Sequence, residues 1–141
     1  MKALSLWEPW ASLMAVGAKR IETRSWPTRY RGPLLICAAK RPMDGPSREI
    51  ADMAALQGFL ITPAYGMAVC TVELTRCDRI VPFNRTVLEH FLGDYTPGRF
   101  AWITENVQRF QFPFSVVGHQ GLFDVSDSIV DRKLTECEAD Q

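Results

Sequence analysis

The chain has no Cys-x-x-Cys pair. Its four cysteines, Cys37, Cys70, Cys77 and Cys137, are scattered, which removes the usual zinc and thioredoxin-like motifs from consideration. In a chain able to bury a core they are expected to be reduced and partly buried, which suits a cytoplasmic location. Histidine is scarce as well: His90 and His119 stand at no metal-ligand spacing, so neither a metal nor a cofactor is expected. No apolar run approaches the length of a membrane span. The apolar stretch after Lys2 is broken by Glu8-Pro9, and Lys19-Arg20 stand where a signal peptide would need a neutral cleavage site. That stretch therefore reads as folded protein. Neither a phosphate-cradling glycine-rich loop nor a Ser/His/Asp arrangement is present. Excess charge is missing too: 16 basic residues balance 16 acidic ones, which argues against a generic polyanion binder.

What is present is the composition of one globular domain. In 141 residues, 47% are hydrophobic and 23% charged, enough for a core without staples. The balanced charge is unevenly spread. Between Ala18 and Arg41 seven basic residues face one acid, Glu22, whereas Asp124 to Gln141 carries six acids against Arg132 and Lys133. A basic region on a neutral protein suits a local anion site such as a nucleotide phosphate.

The chain reads as α+β. Lys2 to Leu6 is a first strand; Pro9 opens a helix through Trp10, Leu13, Met14 and Val16, closed by Gly17. Ile21 to Ser25 and Leu34 to Ala39 read as strands, the second apolar throughout. Ser47 is the expected N-cap of a helix bearing Ile50, Met53, Ala54 and Leu56. Met67 to Leu74 is the longest strand candidate, with Pro82 as its limit. Thr86 to Leu92 reads as a short helix, Phe100 to Asn106 and Val107 to Phe112 as strands, and Gly118 to Val125 as the last strand. Beyond Ser126 no periodicity helps, and residues 127–141 are expected to be a polar acidic tail, frayed or weakly helical. Five to six strands with two to three helices and no βαβ repeat favour a small mixed barrel.

One polar run interrupts this apolar pattern: Gly17-Ala18-Lys19-Arg20-Ile21-Glu22-Thr23-Arg24. On a strand, Arg20, Glu22 and Arg24 share one face. Lys19 stands at the turn leading in, free to point across the same mouth. A lysine among arginines in a partly desolvated cleft can act as base or nucleophile, a glutamate can move protons, and an arginine fork can hold an anionic oxygen. The alternative is a structural network, with Glu22 braced between Arg20 and Arg24 and Lys19 in water. Tryptophans at 7, 10, 26 and 102 add stacking surfaces. Trp26, beside the run, is the expected stacking wall, Trp10 is expected in the core, and Trp102 could line either face of a barrel. Glu105-Asn106 and Gln120 offer polar groups for a base edge.

The spacing Gly17-x-Lys19-x-x-Glu22-x-Arg24 resembles the signature of the ASCH domain (activating signal cointegrator homology), a small β-barrel related to the PUA domains of RNA-modifying enzymes. Further motifs are similar to one bacterial and phage branch of that family: Ala3 to Ala11, Glu22 to Trp26, Tyr30 to Leu34, Phe100 to Asn106 and Gly118 to Val125. Together they run from Lys2 to about Val125. The resemblance implies a PUA-like barrel, with an ASCH domain over residues 1–126.

Three functions follow as expectations. The first is a module binding RNA, single-stranded nucleic acid or a modified nucleotide. Its ligand residues would be Lys19, Glu22, Arg24, Trp26, Arg31, Trp102 and Glu105. The second is an enzyme. The resemblance allows this because some small bacterial ASCH proteins are amidohydrolases that deacylate N4-acetylcytidine, using the motif lysine and a threonine three residues later, and other ASCH proteins are described as nucleases. Lys19 matches that lysine, but Glu22 occupies the threonine position and Thr23 on a strand faces away. Lys19 and Glu22 would then be the catalytic pair, with Glu73, Glu89 and Glu105 the candidates for a general acid. The third is a protein-interaction domain. A monomer or weak homodimer, away from membranes, is expected in each case.

Overall fold

A computed structural model describes residues 1–81 and 85–139, without the side chains of 137–139; Pro82, expected to limit a strand, lies outside the described residues. Strands β1 (Lys2–Leu6), β2 (Ile21–Arg24), β3 (Gly32–Ala38), β4 (Met67–Arg79), β5 (Phe100–Ser115) and β6 (Leu122–Asp124) form one sheet in the order β2-β5-β4-β3-β1-β6. Only β1 and β3 run parallel; the other neighbours are antiparallel. The sheet curls into a half-barrel of PUA-like type, α+β in class.

The curl has a local cause. The β4–β5 register shifts three times along its length, and each bulge adds a residue to one strand and bends it. One bulge lies at Asn106, whose φ of +54° is the left-handed conformation that asparagine tolerates better than most residues. The two strand pieces expected on either side of it are therefore a single strand, β5.

The apolar run of β3 is explained by burial on both faces. Leu34, Ile36 and Ala38 join one core with Leu4, Leu6, Met14 and Trp102. Leu35 and Cys37 point the other way, into a second core with Ala3, Phe110 and Phe123.

Helix α1 (Trp10–Ala15) starts at Pro9 and ends as the glycine at 17 predicts. Gly17 N donates to Met14 O at 3.1 Å, Ala18 N donates to Leu13 O at 3.0 Å, and Gly17 takes a φ of +82°. This two-bond cap turns the chain sharply back, and the turn delivers Lys19 to the interior.

Helix α2 (Gly45–Leu56) is capped by Asp44 instead of Ser47: Asp44 Oδ1 accepts from Ser47 N at 2.8 Å and Ser47 Oγ at 2.7 Å. Helix α3 (Val87–Phe91) is capped by Thr86. The expected frayed tail is helix α4 (Asp127–Ala139), which raises the helix count to four among the described residues. Its hold on the sheet is too sparse for periodicity to register, since it consists of buried Val130 and partly buried Leu134 against the second core. No helix among the described residues is long and apolar enough to cross a membrane.

Glu8 joins α1 to the segment before β4. Its buried carboxylate accepts from Ser12 N at 2.9 Å, Ser12 Oγ at 2.5 Å and Ala64 N at 2.7 Å. Glu8→Gln turns one acceptor into a donor that faces donors, so a loss of about 1–3 kcal/mol is expected. An unchanged urea midpoint would show this network to be dispensable.

Candidate functional site

Strand β2 pairs with the start of β5, Glu22 opposite Trp102 and Arg24 opposite Phe100. Glu22 and Arg24 share a face as alternation requires, with Arg24 Nη2 3.6 Å from Glu22 Oε2. The partner on the other side of Glu22 is Lys19, not Arg20. Lys19 Nζ lies 3.7 Å from Glu22 Oε1 and is fully buried. It donates to Ile21 O at 2.7 Å and Leu92 O at 2.6 Å, tying the start of β2 to the end of α3. Lys19 thus does not point across an open mouth. Burial pulls its pKa below the ordinary lysine value of 10.5, while Glu22 and Glu89 work against that shift.

Arg20 takes the opposite course. Its side chain is exposed and lines a separate hollow of about 460 Å³ with Glu105 and Asn106. Its backbone is tied instead: Arg20 N donates to Glu89 Oε1 at 2.6 Å, and Arg20 O accepts from Thr104 N and Oγ1.

Of the three candidate glutamates, Glu89 lies within the electrostatic reach of Lys19. Burial raises its pKa above the ordinary 4.5, and its Oε2 has no hydrogen-bond partner among the described residues. Folded Glu89 therefore keeps its proton at pH values where the unfolded chain has already released it. Stability then falls as pH rises through that window, since the native state binds more protons. The urea midpoint should decline over that range in the wild type and level out in Glu89→Gln; parallel profiles would refute the assignment.

Two clefts open beside this network. The larger, about 940 Å³, is lined by Arg24, Trp26, Lys40, Tyr65 and His119. The smaller, about 530 Å³, is lined by Trp10, Glu22, Thr23, Phe91 and Asp94. Ser5, Trp7 and Arg24 belong to both, so the two clefts share a wall. Arg24 is anchored there by Nη2 donating to Ser5 O at 2.8 Å, and its buried Nε–H has no partner among the described residues. Trp7 is 54% exposed, with the Arg41 guanidinium 3.8 Å from its ring centroid. Thr23 bonds in both directions: its Oγ1 accepts from Asp94 N at 3.2 Å, while its backbone N donates to Glu22 Oε1 at 2.9 Å, and both residues line the smaller cleft.

The structure thus brings Lys19, Glu22, Arg24 and Trp26 together and keeps three expected ligand residues out of the two clefts. Trp102 is wholly buried, packed edge-on against Trp26 at 4.7 Å, and its Nε1–H donates to Trp26 O at 3.3 Å. It holds Trp26 in place from below. Arg31 spends its guanidinium on the carbonyls of Thr28 and Tyr30 and lines neither cleft. Glu105 lies in the other hollow, whose lining includes both Lys19 and Arg20. Trp10, expected in the core, packs against it yet also reaches the smaller cleft. Ser5 escapes sequence reading, its one signal being a serine in the apolar strand Lys2–Leu6. Trp7 is one of the four candidate stacking surfaces but is not among the expected ligand residues, and the structure places it on the wall of both clefts. No group of three or more His, Cys, Asp and Glu is placed to hold a metal among the described residues.

The ASCH domain family model matches residues 4–114. The chain is 30% identical over 135 residues to Activating signal cointegrator 1 of Mus musculus, and equally to that of Homo sapiens, covering 89% of this chain. It spans only 22% of the length of these relatives. With the family match extending over most of its length and the Gly17-to-Arg24 motif running from the α1 cap into β2, this chain belongs to the ASCH domain family.

Proposed function

We propose that this chain binds RNA, as a single strand or through a modified nucleotide, in the clefts beside the Gly17-x-Lys19-x-x-Glu22-x-Arg24 motif. The observation that carries the reading is the position of Arg24, whose guanidinium stands where two clefts meet, with Trp7, Trp10 and Trp26 on their walls. A guanidinium fork suits a phosphate, and an aromatic face contributes about 1–3 kcal/mol per stacked base. The association of ASCH domains with RNA supports the same assignment. Lys19 and Glu22 hold the wall together beneath Arg24. The reading suits a cytoplasmic monomer or weak homodimer.

Tryptophan fluorescence titrated with a short single-stranded RNA should show saturable binding that weakens between about 50 and 200 mM salt, as phosphate contacts require. Trp7→Ala, at an exposed position, should lose about 1–3 kcal/mol of affinity. No saturable RNA binding by the folded protein would end the proposal. Incubation with N4-acetylcytidine separates binding from hydrolysis: release of cytidine that disappears on replacing Lys19 would make the clefts an active site.

A further inference from the structure

The clefts differ in chemistry. No carboxylate lines the larger one among the described residues, where Arg24 and Lys40 supply positive charge. The smaller one adds the carboxylates of Glu22 and Asp94, ion-paired with Arg24 at 3.6 Å and Arg99 at 3.5 Å. A phosphate is repelled by carboxylates, whereas the N–H groups of a base or the hydroxyls of a sugar can donate to them. Each cleft falls in the volume range of about 300–1,000 Å³ typical of small-ligand sites, and each has aromatic surface: Trp26 and Tyr65 in the larger, Trp10 and Phe91 in the smaller. A single nucleoside would leave one of them empty.

Resting on the RNA reading above, we infer that the recognised unit is a dinucleotide step of a single strand, with one nucleotide in each cleft and the linking phosphate on Arg24. Three observations converge on Arg24. It belongs to both walls. Its tie to Ser5 O and its ion pair with Glu22 hold the guanidinium in place without using all five of its N–H donors. Its Nε–H is buried without a partner among the described residues, and an unpaired buried donor is costly unless something answers it. A phosphate at the shared wall would supply acceptor oxygens there and carry the strand from one cleft to the other. Joining the two nucleotides makes the second contact intramolecular, which raises affinity with no added contact.

The test measures the full chain by fluorescence titration against uridine 5′-monophosphate, the dinucleotide UpU, UpU with a neutral methylphosphonate linkage, and a short oligouridylate. UpU is expected to bind at least about tenfold more tightly than the mononucleotide. The methylphosphonate analogue should lose most of that gain, and Arg24→Gln should bring UpU and the mononucleotide to similar affinity. The neutral analogue requires no variant, so the inference stays testable if Arg24→Gln fails to fold. Equal binding of mononucleotide and dinucleotide, with the oligouridylate still bound, would overturn the inference and leave the RNA reading standing. Failure of every ligand, oligouridylate included, would overturn both.

Discussion

Replacing Lys19 by methionine is expected to remove about 3–5 kcal/mol of folding stability, the loss seen when one partner of a buried charge group is deleted. Methionine keeps the length and most of the volume of the side chain, so the effect isolates the ammonium. Three groups would lose it: Ile21 O, Leu92 O and the Glu22 carboxylate. Glu89 would also lose its nearby positive charge. In a domain whose total stability is about 5–15 kcal/mol, this change alone could bring the protein close to unfolding. The check is a urea midpoint that drops while the slope stays constant. A shift below about 0.5 kcal/mol, within the range of ordinary surface substitutions, would show that the ammonium has no net structural role.

The pH dependence of Lys19 carries the opposite sign to that of Glu89. Its folded pKa lies below 10.5, so between that lowered value and 10.5 the unfolded chain binds more protons than the native one. Stability contributed by this group therefore rises with pH through that alkaline window, and Lys19→Met should abolish the rise. Activity assays on Lys19 variants need this control, because lost turnover and lost folding would otherwise look alike.

Trp102→Ala is the second large effect, expected at about 3–5 kcal/mol for truncation of a buried aromatic. The side chain is wholly buried, meets Trp26 edge-on and donates its N–H to the Trp26 carbonyl. Trp102→Phe should cost less, because a ring still fills much of the space and only the indole N–H bond is lost outright. Since Trp26 forms part of the larger cleft, both variants should also weaken RNA binding, alanine more than phenylalanine. Full RNA affinity in a folded Trp102→Ala protein would show that Trp26 does not depend on this support.

Much of the fold was legible because its signals are local. Lys2–Leu6 and the α1 cap at Gly17 follow from alternation and from glycine's access to positive φ. The β3 run Leu34–Ala38 follows from apolar continuity. Where competing local signals met, the reading slipped: Asp44 and Ser47 both suit an N-cap, and the register of the turn decided for Asp44. Helix α4 was hidden because two anchoring side chains make too thin a stripe.

The sequence by itself determined the family, the α+β class, and the presence of a charged run that apolar neighbours would bring to a cleft edge. Covalent order and side-chain chemistry are enough for those. It did not determine which charges face solvent. Lys19 and Arg20 are adjacent cations in the chain, yet the cap that wraps Gly17 and Ala18 onto α1 sends one ammonium into the interior and leaves the other side chain exposed. Likewise Trp26 and Trp102 differ in role only because β5 lies beneath β2's exit and buries one indole under the other. Burial depends on what packs from elsewhere in the chain, and only the tertiary structure decided it.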